Sequence, residues 1–126
     1  MKPRHRNGFL MSFKYAGEGV WHAVQTQRNF RVHLLAAVAV VTLGQWLGLP
    51  ATSWAILILT IASVLWAEII NTAAETLVDL VSPDYHPLAK QVKDLAAGAV
   101  LVMAAAAVVI GLLLLGPPLL MHLGTL

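Results

Sequence analysis

The stretch ATSWAILILTIASVLWAEIINTAAETLVDL, residues 51–80, decides how this chain folds and where its chemistry lies. Ala51 to Ala67 carries no charge and is apolar enough to sit in hydrocarbon. Directly after it come Glu68, Asn71, Glu75 and Asp79, spaced by three, four and four. At about 3.6 residues per turn, that spacing stacks all four on one stripe of one helix. Carboxylates at the edge of a bilayer are costly. The stripe therefore implies a partner, and a hard cation is the natural one.

The rest of the chain agrees with a membrane setting. Apolar residues make up 59% of the 126 residues and charged ones 11%, against roughly 25% charged in a soluble domain. From Val32 to Ala67, and again from Leu95 to Leu126, there is no Asp, Glu, Lys or Arg. This predicts an integral membrane protein forming one domain over residues 1–126. With no cysteine, disulfide and thiolate chemistry are excluded. The basic N-terminus has no apolar core followed by a small-residue cleavage site, so no cleaved signal peptide is expected.

Basic residues give the orientation. Lys2, Arg4, Arg6, Lys14, Arg28 and Arg31 precede the first apolar run, and Lys90 and Lys93 lie between the second and third. The positive-inside rule places both segments in the cytoplasm. Beside a span, such patches meet anionic lipid headgroups, and no nucleic-acid role is expected. The first span is expected over residues 32–49, about 27 Å at 1.5 Å per residue. An uncharged turn follows at Gly48–Ser53, flanked by Trp46 and Trp54 at the level of an interfacial aromatic belt. The second span, residues 51–71, is expected to run on as helix to Leu80. Ser82-Pro-Asp-Tyr-His-Pro87 breaks it, and a helix restarting at Leu88 becomes the third span, residues 95–115. Gly116-Pro117-Pro118 is expected to end that helix and leave a short tail outside.

Before the first span, Phe9, Phe13, Ala16, Val20 and Val24 recur at helical spacing opposite Lys14, Glu18 and Gln25. This predicts an amphipathic helix over about residues 8–28, lying on the inner membrane surface. The expected fold is all-α: one surface helix and three transmembrane helices, N-terminus inside and C-terminus outside. Ala97, Ala104, Ala107 and Gly111 give the third span a small-residue face suited to close helix packing. Three spans are few to enclose both a lipid pocket and a polar site, so a homo-oligomer is expected.

Several chemistries can be set aside. There is no Gly-x-x-x-x-Gly-Lys-Ser/Thr loop, no dinucleotide fingerprint and no paired-histidine zinc spacing. His33 reads as an interfacial side chain and His122 as a solvated one. What remains is Glu68, Asn71, Thr72, Glu75 and Asp79 on one helix, then Asp84, Lys93 and Asp94. Magnesium suits such a set, since it takes one or two carboxylates plus substrate phosphates and keeps several waters. Lys93 beside Asp94 suits an anionic phosphate. Glu68, deepest in apolar surroundings, suits a general base. Together these parts point to phosphoryl transfer to a lipid hydroxyl at the membrane surface, where positioning and charge neutralisation dominate. Residue spacing leaves two other readings open. One is a small oligomeric transporter using Glu68 as ion relay; the other is structural pairing of the acids with Arg28, Arg31 or Lys93.

The same residues resemble a known family. Glu68-Ile-Ile-Asn71-Thr72-Ala-Ala-Glu75-Thr-Leu-Val-Asp79, followed by Tyr85-His86-Pro-Leu-Ala-Lys90-Gln-Val-Lys93-Asp94-Leu-Ala-Ala-Gly98, resembles the prokaryotic diacylglycerol kinase family, which includes undecaprenol kinases. Ser12-Phe13-Lys14-Tyr15-Ala16-Gly-Glu18-Gly19 and Arg28-Asn29-Phe30-Arg31-Val-His33-Leu34 are similar to that family's surface helix and the lead into its first span. The resemblance covers roughly Ser12 to Leu101. It implies a homotrimer of three-span subunits with shared active sites, phosphorylating a membrane lipid alcohol with ATP and Mg2+ at the bacterial inner membrane.

Carried over by residue, Glu68 matches the catalytic base and Glu75 a metal-binding carboxylate. Tyr15, Asp84, Tyr85, His86, Lys93 and Asp94 match nucleotide-contacting positions, and Asn71 and Asp79 match active-site support. One departure stands out: Gln27 occupies a position where the family commonly has a second metal-binding glutamate. An amide oxygen still ligates magnesium but brings no charge, and Glu18 is the nearest acid that would compensate. The Ser12–Ala16, Asn29–Arg31 and Leu88–Lys90 stretches look more like the undecaprenol-kinase branch. Physically, undecaprenol and diacylglycerol both offer one interfacial hydroxyl on an apolar body.

Overall fold

In the computed structural model, which describes residues 8–125, the chain forms four helices in the order α1 (Phe9–Thr26), α2 (Arg28–Leu47), α3 (Ala51–Val81) and α4 (Pro87–Gly124). Lys2, Arg4 and Arg6, three of the residues used to orient the chain, lie outside the described residues. The fold is all-α, and α2, α3 and α4 are each long and apolar enough to cross a membrane. At 1.5 Å per residue they measure about 30, 46 and 57 Å. The last two therefore exceed a hydrocarbon core of about 30 Å, and each has a stretch left over outside it.

A helix is present where one was expected before the first span, and one residue separates the two. Gln27 leaves helical geometry at φ −104°, ψ 110° and ends α1 while starting α2. Arg31 secures this elbow by donating from Nη1 to the carbonyls of Val24 (3.2 Å) and Gln25 (3.0 Å). Those are orphan acceptors at the C-terminal end of α1, where a cation is favoured. Ala23 and Phe30, on either side of the elbow, are buried. Phe9, Phe13, Val20 and Trp21 stay exposed, so the apolar face of α1 has no cover within the protomer.

The α2–α3 turn is set by two glycines. Gly48 takes the left-handed conformation at φ 66°, donating to Gln45 O, while Leu49 N–H donates to Gly44 O. This is a Schellman ending, with the expected apolar contact between Leu49 and the Gly44 position. A Cβ on Gly44 would lie 3.1 Å from Leu49 Cδ1 and 3.1 Å from Trp54 Cη2, so α3 closes on bare backbone there. Leu49, Leu57 and Leu115 form a small core with Val40, Leu43, Trp54 and Ile61 around it. All of them sit toward the α2–α3 turn, away from the carboxylate stripe.

The other connection follows proline chemistry. Ser82, preceding Pro83, is pushed out of helix to φ −136°. His86 then caps α4 by accepting a bond from Leu88 N–H on Nδ1 (3.1 Å), with Pro87 at the first helical position.

One expectation is overturned. Gly116-Pro117-Pro118 does not end the last helix, which continues to Gly124 with both prolines inside it. Gly116 has no Cβ for the Pro117 ring to strike, which removes much of the penalty on a residue before proline. The prolines cost the carbonyls of Leu113 and Leu114 their donors, and tertiary contacts hold the turn instead. Leu115 is buried against Leu49 and Leu57, and the His122 ring lies 4.5 Å from Trp46 of α2. His122 is thus exposed yet packed, and not merely solvated.

The close approach at Gly44 is testable. Gly44→Val forces the rigid indole of Trp54 to move, and overpacking of this kind costs roughly 1–3 kcal/mol. Detergent unfolding followed by circular dichroism should show that loss, whereas Gly111→Ala, whose Cβ meets nothing within 4 Å, should not.

Candidate functional site

The carboxylate stripe forms as the spacing predicts, and its four members have four different surroundings. Glu68 is buried, with its side chain 4% exposed. His33 of α2 reaches it: Nε2 lies 3.1 Å from Glu68 Oε1. The approach is off the line of the ring N–H, so Oε1 has a close neighbour without an aligned hydrogen bond. Asn71, one turn on, donates from Nδ2 to Glu75 Oε1 (3.3 Å), which leaves its own buried Oδ1 with no donor. Thr72 turns its hydroxyl back to Glu68 O (3.0 Å) and is occupied with the helix itself. Asp79, largely exposed, accepts from Lys93 of α4, an ion pair between the two long helices.

The loop and the start of α4 carry the remaining residues. Asp84, Tyr85 and His86 are exposed, and Ser82 Oγ donates to Asp84 O at 3.1 Å. Lys90 pairs with Asp94 one turn along α4. Tyr15 sits half-buried on α1. Gln27 stands at the α1–α2 elbow, where its amide donates to Thr26 Oγ1 (3.1 Å) and not to a carboxylate of the stripe. Glu18 pairs loosely with Lys14 across a turn of α1, at 3.9 Å.

The structure therefore joins Glu68 to His33, Asn71 to Glu75, and Asp79 to Lys93. It spreads these pairs along the helix: Glu68 and Asp79 are about 16 Å apart by helical rise. Among the described residues, no three His, Cys, Asp or Glu side chains converge as a metal cage within one protomer. Hard oxygen donors with one unsatisfied amide oxygen at Asn71 nevertheless fit magnesium, which usually completes its shell with water and substrate phosphate.

His33 is the residue that sequence reasoning missed. Its partner lies 35 positions away on another helix, a relation no local spacing encodes. The available signal was its place inside Val32–Ala67, a run otherwise free of ionisable side chains that a span has to accommodate.

His33 also marks one end of an apolar groove of about 460 Å³ between α2, α3 and α4. Ala104, Ala107 and Gly111 line it, so within the protomer the small-residue face of α4 opens space instead of closing on another helix. Thr60 is the other polar lining residue, and its hydroxyl is committed to Ile56 O at 2.7 Å. The arrangement can hold an apolar chain with its polar end beside a buried carboxylate.

Comparison with known proteins shows the family. A family model described as prokaryotic diacylglycerol kinase matches residues 14–115. The chain is 50% identical to a diacylglycerol kinase of Synechocystis sp., with 94% of this chain and 72% of that protein covered. It is 45% identical to an undecaprenol kinase of Bacillus subtilis, over 90% of this chain and 92% of that one. A diacylglycerol kinase of Escherichia coli is 32% identical over 86% of this chain and 91% of its own length.

The Asp79–Lys93 pair gives a direct test of what holds the site. Its side chains are 67% and 39% exposed, and pairs of that kind contribute about 0–1 kcal/mol. Asp79→Asn should therefore lower the unfolding free energy by less than about 1 kcal/mol in detergent; a larger loss would make the pair a structural clamp.

Proposed function

Because this chain belongs to the prokaryotic diacylglycerol kinase family, whose members are membrane lipid kinases, we propose that it transfers the γ-phosphate of ATP to the hydroxyl of a membrane lipid alcohol, diacylglycerol or undecaprenol. The observation that carries the reading is Glu68, a buried carboxylate in contact with His33 at one end of an apolar groove. The lipid body lies in the groove and its hydroxyl meets Glu68. Glu68 takes the hydroxyl proton as the lipid oxygen bonds to the γ-phosphorus, and the bond from that phosphorus to the bridging oxygen breaks to release ADP.

The remaining residues position the phosphates. Lys93 and Lys90 present cations that exchange their carboxylate partners, Asp79 and Asp94, for phosphate oxygens. Exposed Asp84, Tyr85 and His86, with Tyr15 of α1, form the nucleotide-facing surface. Asn71 fixes the Glu75 carboxylate. Glu75, with the amide oxygen of Gln27, would hold magnesium, which supplies neutralisation of the phosphate charge. The residues of one protomer form an open, incomplete set, which supports a homotrimer with sites shared between subunits. The basic segments support a cytoplasmic position for this face and an outer one for the far end of α4.

Incubating the purified protein with labelled MgATP in mixed micelles containing either diacylglycerol or undecaprenol tests the reading and identifies the acceptor. Glu68→Gln should reduce turnover by roughly 10²- to 10⁴-fold, the usual contribution of a general base, with the oligomer intact; retained turnover would remove Glu68 from that role. Gly111→Leu, whose Cβ meets nothing within 4 Å and whose side chain enters the groove, should raise the KM for lipid and leave that for MgATP unchanged. A change in neither would place the lipid elsewhere.

A further inference from the structure

We propose that His33 is the positioning residue of the Glu68 base: its imidazole holds one carboxylate oxygen, leaving the other to receive the proton of the lipid hydroxyl. This deepens the lipid-kinase reading and rests on it. Three observations converge on the role. Nε2 stands 3.1 Å from Oε1 of a carboxylate that is 4% exposed. The same ring lines the apolar groove, so a hydroxyl reaching Glu68 from the groove passes His33.

The third observation is that, among the described residues, no Lys or Arg pairs with Glu68, and most are engaged elsewhere. Arg31 is bound to the carbonyls ending α1, Lys90 to Asp94, Lys93 to Asp79, and the Asn71 amide to Glu75. Neither α2 beyond Arg31 nor α4 beyond Asp94 offers another Asp, Glu, Lys or Arg to Glu68.

The contact is close but misaligned, as catalytic hydrogen bonds often are before substrate binds. A carboxylate with a free rotor has several orientations; one held by a ring on a separate helix has few. The ring acts through Glu68 and touches neither phosphate nor metal, so its removal affects the chemical step more than nucleotide binding. A ring carrying its proton on Nε2 would donate to Oε1 once the two align, and the proposal calls for that tautomer.

The test uses the full-length protein in mixed micelles, with His33→Phe to keep the ring volume without nitrogen and His33→Gln to return an amide N–H near the Nε2 position. His33→Phe should lower kcat roughly 10- to 100-fold, the scale of a misplaced catalytic group, with the KM for MgATP changed less than about twofold. His33→Gln should recover most of the loss. The double variant Glu68→Gln/His33→Phe should be no slower than Glu68→Gln alone, since both changes act on one group. Wild-type kcat in His33→Phe, a His33→Gln variant as slow as His33→Phe, or additive losses in the double variant would each overturn the role. Ring ¹⁵N shifts of His33 test the contact without turnover. They should report an Nε2-protonated ring that changes in Glu68→Gln, and shifts indifferent to that substitution would overturn it even in a protein that phosphorylates no lipid. A wild-type protein inactive on both lipids, with the ring contact intact, would instead fail the kinase reading itself.

Discussion

Withdrawing a carboxylate from water costs several kcal/mol unless a partner or a proton compensates it, and the polar half of this molecule is arranged around one such group. Glu68 follows directly on an uncharged run and is 4% exposed, so the helices beside it have to present something to it or leave room for something that will. α2 presents His33, and the space between α2, α3 and α4 is left open as a groove beginning at that histidine. Away from His33 the groove is walled by the small core itself, since Leu57 and Leu115, which meet Leu49, also line it. A groove walled by a packed core and capped by a histidine suits a membrane enzyme whose lipid substrate enters from the side.

Helix length carries the second part of the design. α3 and α4 exceed the hydrocarbon thickness, and the excess lifts Asp79, Lys90, Lys93 and Asp94 into water. Their ion pairs are exposed, and exposed pairs contribute little to stability. That weakness is useful where a polyphosphate has to compete for the lysines, because exchanging carboxylate for phosphate then costs the fold almost nothing. The stiffness of the site comes from elsewhere: the Arg31 clamp on α1, the proline-directed turn from Ser82 to Pro87, and the close approach of α3 to Gly44.

How far the sequence could be read depended on whether each signal was local. The three spans, the surface helix and the stripe from Glu68 to Asp79 were legible because apolar runs and helical spacing are properties of adjacent residues. The break at Gln27 was not, since nothing in its neighbours marks a single non-helical residue. The passage of α4 through Pro117 and Pro118 was misread because proline normally stops a helix; Gly116, and contacts from Leu115 and His122 to distant residues, reverse that outcome. His33 was read as an interfacial residue for the same reason: its meaning lies in a partner on α3. Gln27, which the family resemblance makes a metal-binding position, stands at the elbow with its amide donating to Thr26 Oγ1.

The distribution of polarity also bears on the choice between phosphoryl transfer and ion passage. A relay through the bilayer needs polar groups, or water held by them, at intervals across the hydrocarbon. Beyond His33, the groove is lined by aliphatic and small residues, and its one hydroxyl, on Thr60, is spent on the Ile56 carbonyl. An ion leaving Glu68 along the groove would find a single side-chain oxygen, that of Thr60, to replace its hydration shell. An isoprenoid or acyl chain would find a continuous apolar wall, with its hydroxyl held where the polarity begins. The same asymmetry that makes the groove a poor conduit suits it to a lipid, and in the proposed reaction it puts the reacting oxygen on the side of Lys90 and Lys93.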